Sequence, residues 1–335
     1  MDSAIKRTNL KHFLNDLKKY YQIVAPQKKK DEVIFDFIEN GSDIELEYEN
    51  LAKRENSLLP VKKFLIPEQE DIFIYDNENK NLIEKEIPKN KALIFGLSLT
   101  EAKSIAFLDE IMSNPLPDYF YFRNRNKYIL IIISEHPVKN EDYTGDLILE
   151  KINKYEYKAI AITDDGKKIA KSRWFGKSEY DQEKIPALEK TTLQELIIDP
   201  ELLKDAVEWS RKNSKIWDEL AETCLGCGIC TYVCPLCYCF SIEDRISIDN
   251  KKCFRCRNWD TCTLPNFSKV AGGKNFRPAL KERYYNWFYH KFVRGYLEYG
   301  RSLCIGCARC QKYCPAKIDI EKVLKRIVSE YKKSK

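Results

Sequence analysis

Cys224-Leu225-Gly226-Cys227-Gly228-Ile229-Cys230-Thr231-Tyr232-Val233-Cys234-Pro235 is matched further along the chain by Cys304-Ile305-Gly306-Cys307-Ala308-Arg309-Cys310-Gln311-Lys312-Tyr313-Cys314-Pro315. Both stretches read C-x2-C-x2-C-x3-C-P, the spacing by which bacterial ferredoxins hold [4Fe–4S] cubanes. Three thiolates three residues apart on a tightly wound loop can take three corners of one cubane. The fourth corner faces away from that loop and needs a cysteine from elsewhere. In this arrangement the last cysteine of each run serves the other cluster. The expected ligand sets are therefore Cys224, Cys227, Cys230 and Cys314 for one cluster, and Cys304, Cys307, Cys310 and Cys234 for the other. Gly226, Gly228 and Gly306 let backbone N–H groups come near the sulfurs.

Structural zinc is the plainer alternative. Zinc is usually held by two ligand pairs separated by a longer loop, not by four cysteines within eleven residues ending in Cys-Pro. One such run could arise by chance, whereas two in one chain point to iron–sulfur chemistry. The 69 residues between Cys234 and Cys304 exceed what a compact βαββαβ ferredoxin holds. The expectation is a helical dicluster module with helices threaded between the loops.

The remaining cysteines are Cys237, Cys239, Cys253, Cys256 and Cys262, none of the thirteen lying before Cys224. Their spacing could supply a third metal site, with zinc or a further cluster. Buried free thiols are the competing reading, since unpaired cysteine is among the most buried residue types.

Charge divides the 335-residue chain in the same way. The net charge is +6, but residues 251–335 carry +15 and residues 1–250 sum to −9. Arg301, Arg309, Lys312 and Lys317 flank the second motif, where they would offset anionic clusters. Nucleic-acid binding is a distant alternative, because these cations interleave with Tyr284, Tyr285, Trp287, Phe288 and Tyr289, which could stack bases. At helical spacing the same aromatics more often form a core. Pro186, Asp199 and Pro200 interrupt the chain near the change in composition. The expected organisation is α+β, with a mixed α/β scaffold or docking domain over 1–190 and a helical dicluster domain over 191–335.

In the first domain, residues 5–19 place Ile5, Leu10, Phe13, Leu14 and Leu17 on one helical face. Val33–Ile38, Asp71–Tyr75, Ala92–Leu97, Tyr128–Ile133 and Ala159–Thr163 read as strands, and Thr100–Met112 as a helix. Leu202–Asn213, Ile216–Thr223, Ala279–Leu297 and Asp319–Tyr331 read as helices of the second domain. No catalytic constellation emerges, and of the three histidines, His12, His136 and His290, the first lies in a helix and the second precedes a proline, so these two read as ordinary surface or turn residues. No apolar run reaches the ~20 residues of a membrane helix, and no signal region opens the chain. A cytoplasmic location is expected, where thirteen cysteines would stay reduced and call for metal.

The segments Cys234-Pro235-Leu236-Cys237-Tyr238-Cys239-Phe240, Trp259-Asp260-Thr261-Cys262, Ala271-Gly272-Gly273-Lys274-Asn275-Phe276-Arg277-Pro278 and Tyr289-His290-Lys291-Phe292 carry a resemblance. The chain resembles the dicluster iron–sulfur (beta) subunit of cytosolic NiFe sulfhydrogenases, and is similar to an iron–sulfur component of anaerobic sulfite reductases. Ala25-Pro26, Pro60-Val61-Lys62-Lys63-Phe64-Leu65-Ile66-Pro67 and Leu93-Ile94-Phe95 before Leu108-Asp109 extend it towards the N-terminus. The resemblance implies a non-catalytic subunit that relays electrons between two partners. One is a flavin-containing NAD(P)H oxidoreductase subunit; the other is catalytic, a NiFe hydrogenase or a siroheme protein. Relatives also carry N-terminal cysteines able to bind a further cluster. Thr100 and Ser134 stand at two of those positions here, so that cluster is expected to be missing. Cys253 and Cys256 stand where the family has arginines.

Overall fold

The computed structural model describes residues 3–50, 53, 55–83, 91–138 and 143–335. Its strands are β1 (Ser3–Lys6), β2 (Gln22–Lys29), β3 (Glu32–Phe37), β4 (Gln69–Asp76), β5 (Asn81–Ile83) and β6 (Ala92–Leu97). There follow β7 (Tyr128–Ser134), β8 (Leu147–Lys151), β9 (Glu156–Ala161), β10 (Gly176–Lys177), β11 (Phe240–Ile246) and β12 (Lys252–Trp259). The chain divides into two compact units, the first made of Met1–Asn50, Glu55–Ile66 and Glu86–Glu189.

That unit is built on an eight-stranded sheet in the order β10-β1-β9-β8-β7-β6-β2-β3. Its centre is parallel, from β2 through β6 and β7 to β8, and the flanking pairs are antiparallel. The central strands are near-continuous apolar runs because both faces are covered. Leu93, Phe95, Ile129, Ile131, Leu147 and Leu149 share one core with Phe13 and Leu14 of the helix Leu10–Leu17. The helix Leu99–Ser113 follows β6, capped by Ser98, whose side chain accepts from the Glu101 amide at 3.2 Å.

Two departures from the sequence reading have local causes. Residues 5–19 are not one helix: Ser3–Lys6 is drawn out as a strand against β9, with Ile5 buried, and the helix spans only Leu10–Leu17. Strand β2 is not among the strands read from the sequence, and it contains Pro26, which gives the ladder no backbone donor. The structure tolerates Pro26 opposite Phe35.

The second unit comprises Leu51–Arg54, Pro67–Lys85 and Lys190–Lys335. The hairpin of β4 and β5 lies in sequence within the first expected domain. Its backbone hydrogen bonds nevertheless go to β12, giving a four-stranded antiparallel sheet, β11-β12-β4-β5. The buried Arg257–Glu70 ion pair, at 2.8 Å, joins β12 to β4. This unit is thus helical with a sheet added to it.

Its helices include Pro200–Asn213, Ile216–Thr223 and Ile320–Lys333. Asp199 and Asp319 cap the first and last, accepting from the Leu202 and Glu321 amides, each at 3.0 Å. A long aromatic helix runs from Leu280–Phe288 through a π-helical turn at Tyr289–Arg294 into Gly295–Tyr299. Leu203, Val207, Trp217, Phe288, Phe292 and Leu324 form the apolar core, and motif cysteines of both loops pack against its margin.

Candidate metal centre

Each cysteine loop is set by the same backbone device. Gly226 (φ 63°) and Gly228 (φ 81°) are left-handed in the first loop, as Gly306 (φ 71°) and Ala308 (φ 57°) are in the second. Positive φ at these points winds the chain so that amide N–H groups turn towards sulfur. The Gly226 amide donates to Cys224 Sγ at 3.4 Å, and the Gly306 amide to Cys304 Sγ at 3.5 Å. A short helix follows in each, Ile229–Tyr232 and Arg309–Lys312. A Cβ at Gly228 would lie 2.3 Å from Thr261 Cγ2, and one at Gly306 would lie 2.5 Å from Gln194 Cγ, so both glycines are also sterically required.

The last cysteine of the second loop lies at the cavity of the first. Cys224, Cys227, Cys230 and Cys314 line one cavity of about 440 Å³, counting space open to solvent. Cys304 and Cys310 instead lie within electrostatic reach of Cys307 and Cys234. Cys310 also lines the first cavity, so the two thiol sets share a wall. Among the described residues, no three His, Cys, Asp or Glu side chains are placed to hold a single metal ion. Burial pushes the Cys230 thiol up to about 12 and the Cys304 thiol up to about 11. Metal-free, these thiols hold their protons near neutral pH, and metal binding would release them.

The surroundings fit an iron–sulfur cubane. The donors are soft thiols, four to a set. Trp287 also lines the first cavity, and its buried indole Nε1 has no acceptor among the described residues. A sulfide facing that cavity would supply one. Lys291, buried, donates from Nζ to Cys234 Sγ at 3.0 Å and to the Leu303 carbonyl at 3.2 Å. The Ile318 amide donates to Cys314 Sγ at 3.4 Å. Sequence reasoning missed Trp287 and Lys291 as site residues, because both read as members of an aromatic helix.

The other five cysteines do not form one group: Cys253 and Cys256 lie on the sheet, apart from Cys237, Cys239 and Cys262. Cys256 donates to Asp71 Oδ1 at 3.2 Å on the sheet, and Cys253 lies 3.8 Å from Asn77 Oδ1. Cys237 is hydrogen-bonded with Cys234, and Cys262 with Cys239; these bonds, with burial, push the Cys237 and Cys262 thiols up. At the two N-terminal positions for which the resemblance implied cysteines, the Thr100 hydroxyl donates to Glu49 Oε2 at 2.8 Å and the Ser134 hydroxyl to the His136 carbonyl at 2.6 Å. Arg309 is fully buried, so it is no surface cation. Tyr284, Tyr285, Trp287 and Phe288 are buried as well and Tyr289 is half-buried, so four of the five aromatics that could have stacked bases face the interior.

A family model described as a 4Fe-4S dicluster domain matches residues 223–318. The sulfhydrogenase 2 subunit beta of Pyrococcus furiosus is 27% identical over 340 residues, covering 94% of this chain and 95% of its own length. The chain is a homologue of that beta subunit. No solved structure matches. This beta-subunit homologue thus joins a dicluster domain to a mixed α/β unit, as the sequence reading expected. No helix among its described residues is long and apolar enough to cross a membrane.

Proposed function

We propose that this chain is the electron-transfer subunit of a sulfhydrogenase-type oxidoreductase and holds two [4Fe–4S] clusters. Cys224, Cys227, Cys230 and Cys314 hold one, and Cys304, Cys307, Cys310 and Cys234 hold the other. The observation that supports this reading is that Cys314 lines the cavity of Cys224, Cys227 and Cys230, while Cys304 and Cys310 lie within electrostatic reach of Cys234 and Cys307. Bound there, each cubane supplies a one-electron carrier. The chain's own residues fix its position, shield it with the aromatic helix and donate hydrogen bonds to its sulfur ligands.

The partners on this reading are a flavin-containing NAD(P)H oxidoreductase subunit on one side and a NiFe hydrogenase subunit on the other, in the cytoplasm. Similarity to a sulfhydrogenase subunit supports a hydrogenase over a siroheme-bearing sulfite reductase. The chain itself is non-catalytic on this reading. Anaerobic purification from the native host tests it. Iron and sulfide equivalent to two cubanes, with co-eluting flavin and nickel subunits, are the expected result. A siroheme partner, or hydrogen uptake by the isolated chain, would overturn it.

A further inference from the structure

Lys291 is a buried cation with an unusual set of neighbours. Its Nζ reaches Cys234 Sγ at 3.0 Å and the Leu303 carbonyl at 3.2 Å, and lies 5.1 Å from the centre of the Trp287 ring. Among the described residues, no carboxylate is its hydrogen-bond or ion-pair partner. A buried charge without a counter-charge is strongly disfavoured, and the anionic chemistry within its reach is sulfur. The lysine sits on the π-helical turn Tyr289–Arg294, the kind of local distortion that often marks a functional position. Its backbone carbonyl also accepts from the Leu303 amide at 2.7 Å, directly ahead of Cys304. One residue therefore grips the start of the second loop and the last cysteine of the first.

The contact is one-sided. On the reading above, both Cys234 and Cys304 belong to the second cluster. Cys314, the matching cysteine of the other set, receives a neutral backbone amide instead, from Ile318 at 3.4 Å. Arg283 is the buried cation nearest in kind on the first side. Its guanidinium is committed to the carbonyls of Thr263, Arg277 and Pro278 rather than to sulfur. The Lys291 charge is also felt at Cys230, without a hydrogen bond. A cation bonded to a ligand sulfur favours the reduced, more negative state of a cluster, so it raises the reduction potential.

We propose that Lys291 is a potential-setting residue that selectively raises the cluster held by Cys304, Cys307, Cys310 and Cys234 relative to its neighbour. This rests on the two-cluster assignment. The test is an EPR-monitored redox titration of the full chain and of Lys291→Met, which keeps the length and apolar stem of the side chain. Cys314→Ser, which retains only the second cluster, identifies its signal. Lys291→Met should lower the second cluster's reduced-to-oxidised ratio at fixed potential at least tenfold, ~59 mV for one electron, and shift the first cluster less. Lys291→Gln, a donor without charge, should fall between the two. Lys291→Arg should restore part of the loss.

Unmoved potentials, or equal shifts in both clusters, with two cubane signals present overturn the role of Lys291 alone. Fewer than two cubane signals in the unsubstituted chain overturn the two-cluster assignment and the inference with it. If Lys291→Met does not fold, Lys291→Gln and Lys291→Arg carry the same comparison.

Discussion

Gly228 and Ala308 occupy the same place in the two cysteine loops, and both are left-handed, yet the loops around them face different surroundings. In the first loop Leu225 is 68% exposed and Cys227 is exposed, whereas Cys307, its counterpart, is buried. Ile229 of the first loop corresponds to the fully buried Arg309 of the second. Cys234 is bonded by a lysine ammonium and Cys314 by a backbone amide. A repeated motif fixes the metal chemistry through the backbone. The residues packed around each copy then make the two sites unequal. The first loop is the more open to solvent, and the second is the more enclosed.

The sharpest way to break this comparison is to exchange the ligands' ownership. Cys314→Ser should remove the cluster seated on the first loop and spare the second, and Cys234→Ser should do the reverse. Each should halve the bound iron and delete one EPR signal. Loss of the cluster on the mutated cysteine's own loop would refute the crossed sets.

Backbone strain gives the next largest contrast. Gly228→Ala meets a left-handed cost of about 1–2 kcal/mol together with the overlap on Thr261, so it should lower the unfolding midpoint and the first cluster's retention. Ala308→Gly relieves such strain and adds unfolded-state freedom, for a net gain under about 1 kcal/mol. Denaturant unfolding of both variants measures this pair.

Exposure should then separate the clusters kinetically. Under an iron chelator or a trace of oxygen, absorbance from the first cluster should bleach several-fold sooner, and EPR at intervals would identify which signal goes first. Equal decay would mean that the Cys227 opening gives no access. The smallest effect is expected from Trp287→Phe, which deletes the indole N–H that has no acceptor among the described residues. It should lower the first cluster's potential slightly and leave the second unchanged.

Much of this site was legible in the sequence because thiolate spacing is a local property. Three cysteines and a left-handed glycine act within a single loop, and the helices Ile216–Thr223 and Ile320–Lys333 carry their own apolar periodicity. What was not legible depends on partners distant in sequence. Nothing in Gln69–Asp76 announces that its hydrogen-bonding edge belongs to β12, and Arg257 shows its value only once Glu70 stands opposite. Lys291 was hidden for the same reason. In a run of tyrosines and phenylalanines a lysine reads as the polar edge of an amphipathic helix, until folding turns it onto Cys234. The third metal site was a matter of spacing alone. The fold separates Cys253 and Cys256, on the sheet, from Cys237, Cys239 and Cys262.

The exchange of Cys234 and Cys314 also bears on how the molecule is made. A ribosome delivers Cys224, Cys227 and Cys230 well before Cys314, so on the proposed ligand sets the first cluster's fourth ligand comes late. The second loop cannot complete its set without reaching back to Cys234. Neither site is whole until the other's loop has been synthesised and the aromatic helix has packed between them. On the proposed ligand sets cluster loading therefore waits for the synthesis of Cys314, and a chain cut short before it would be born without a closed site for iron.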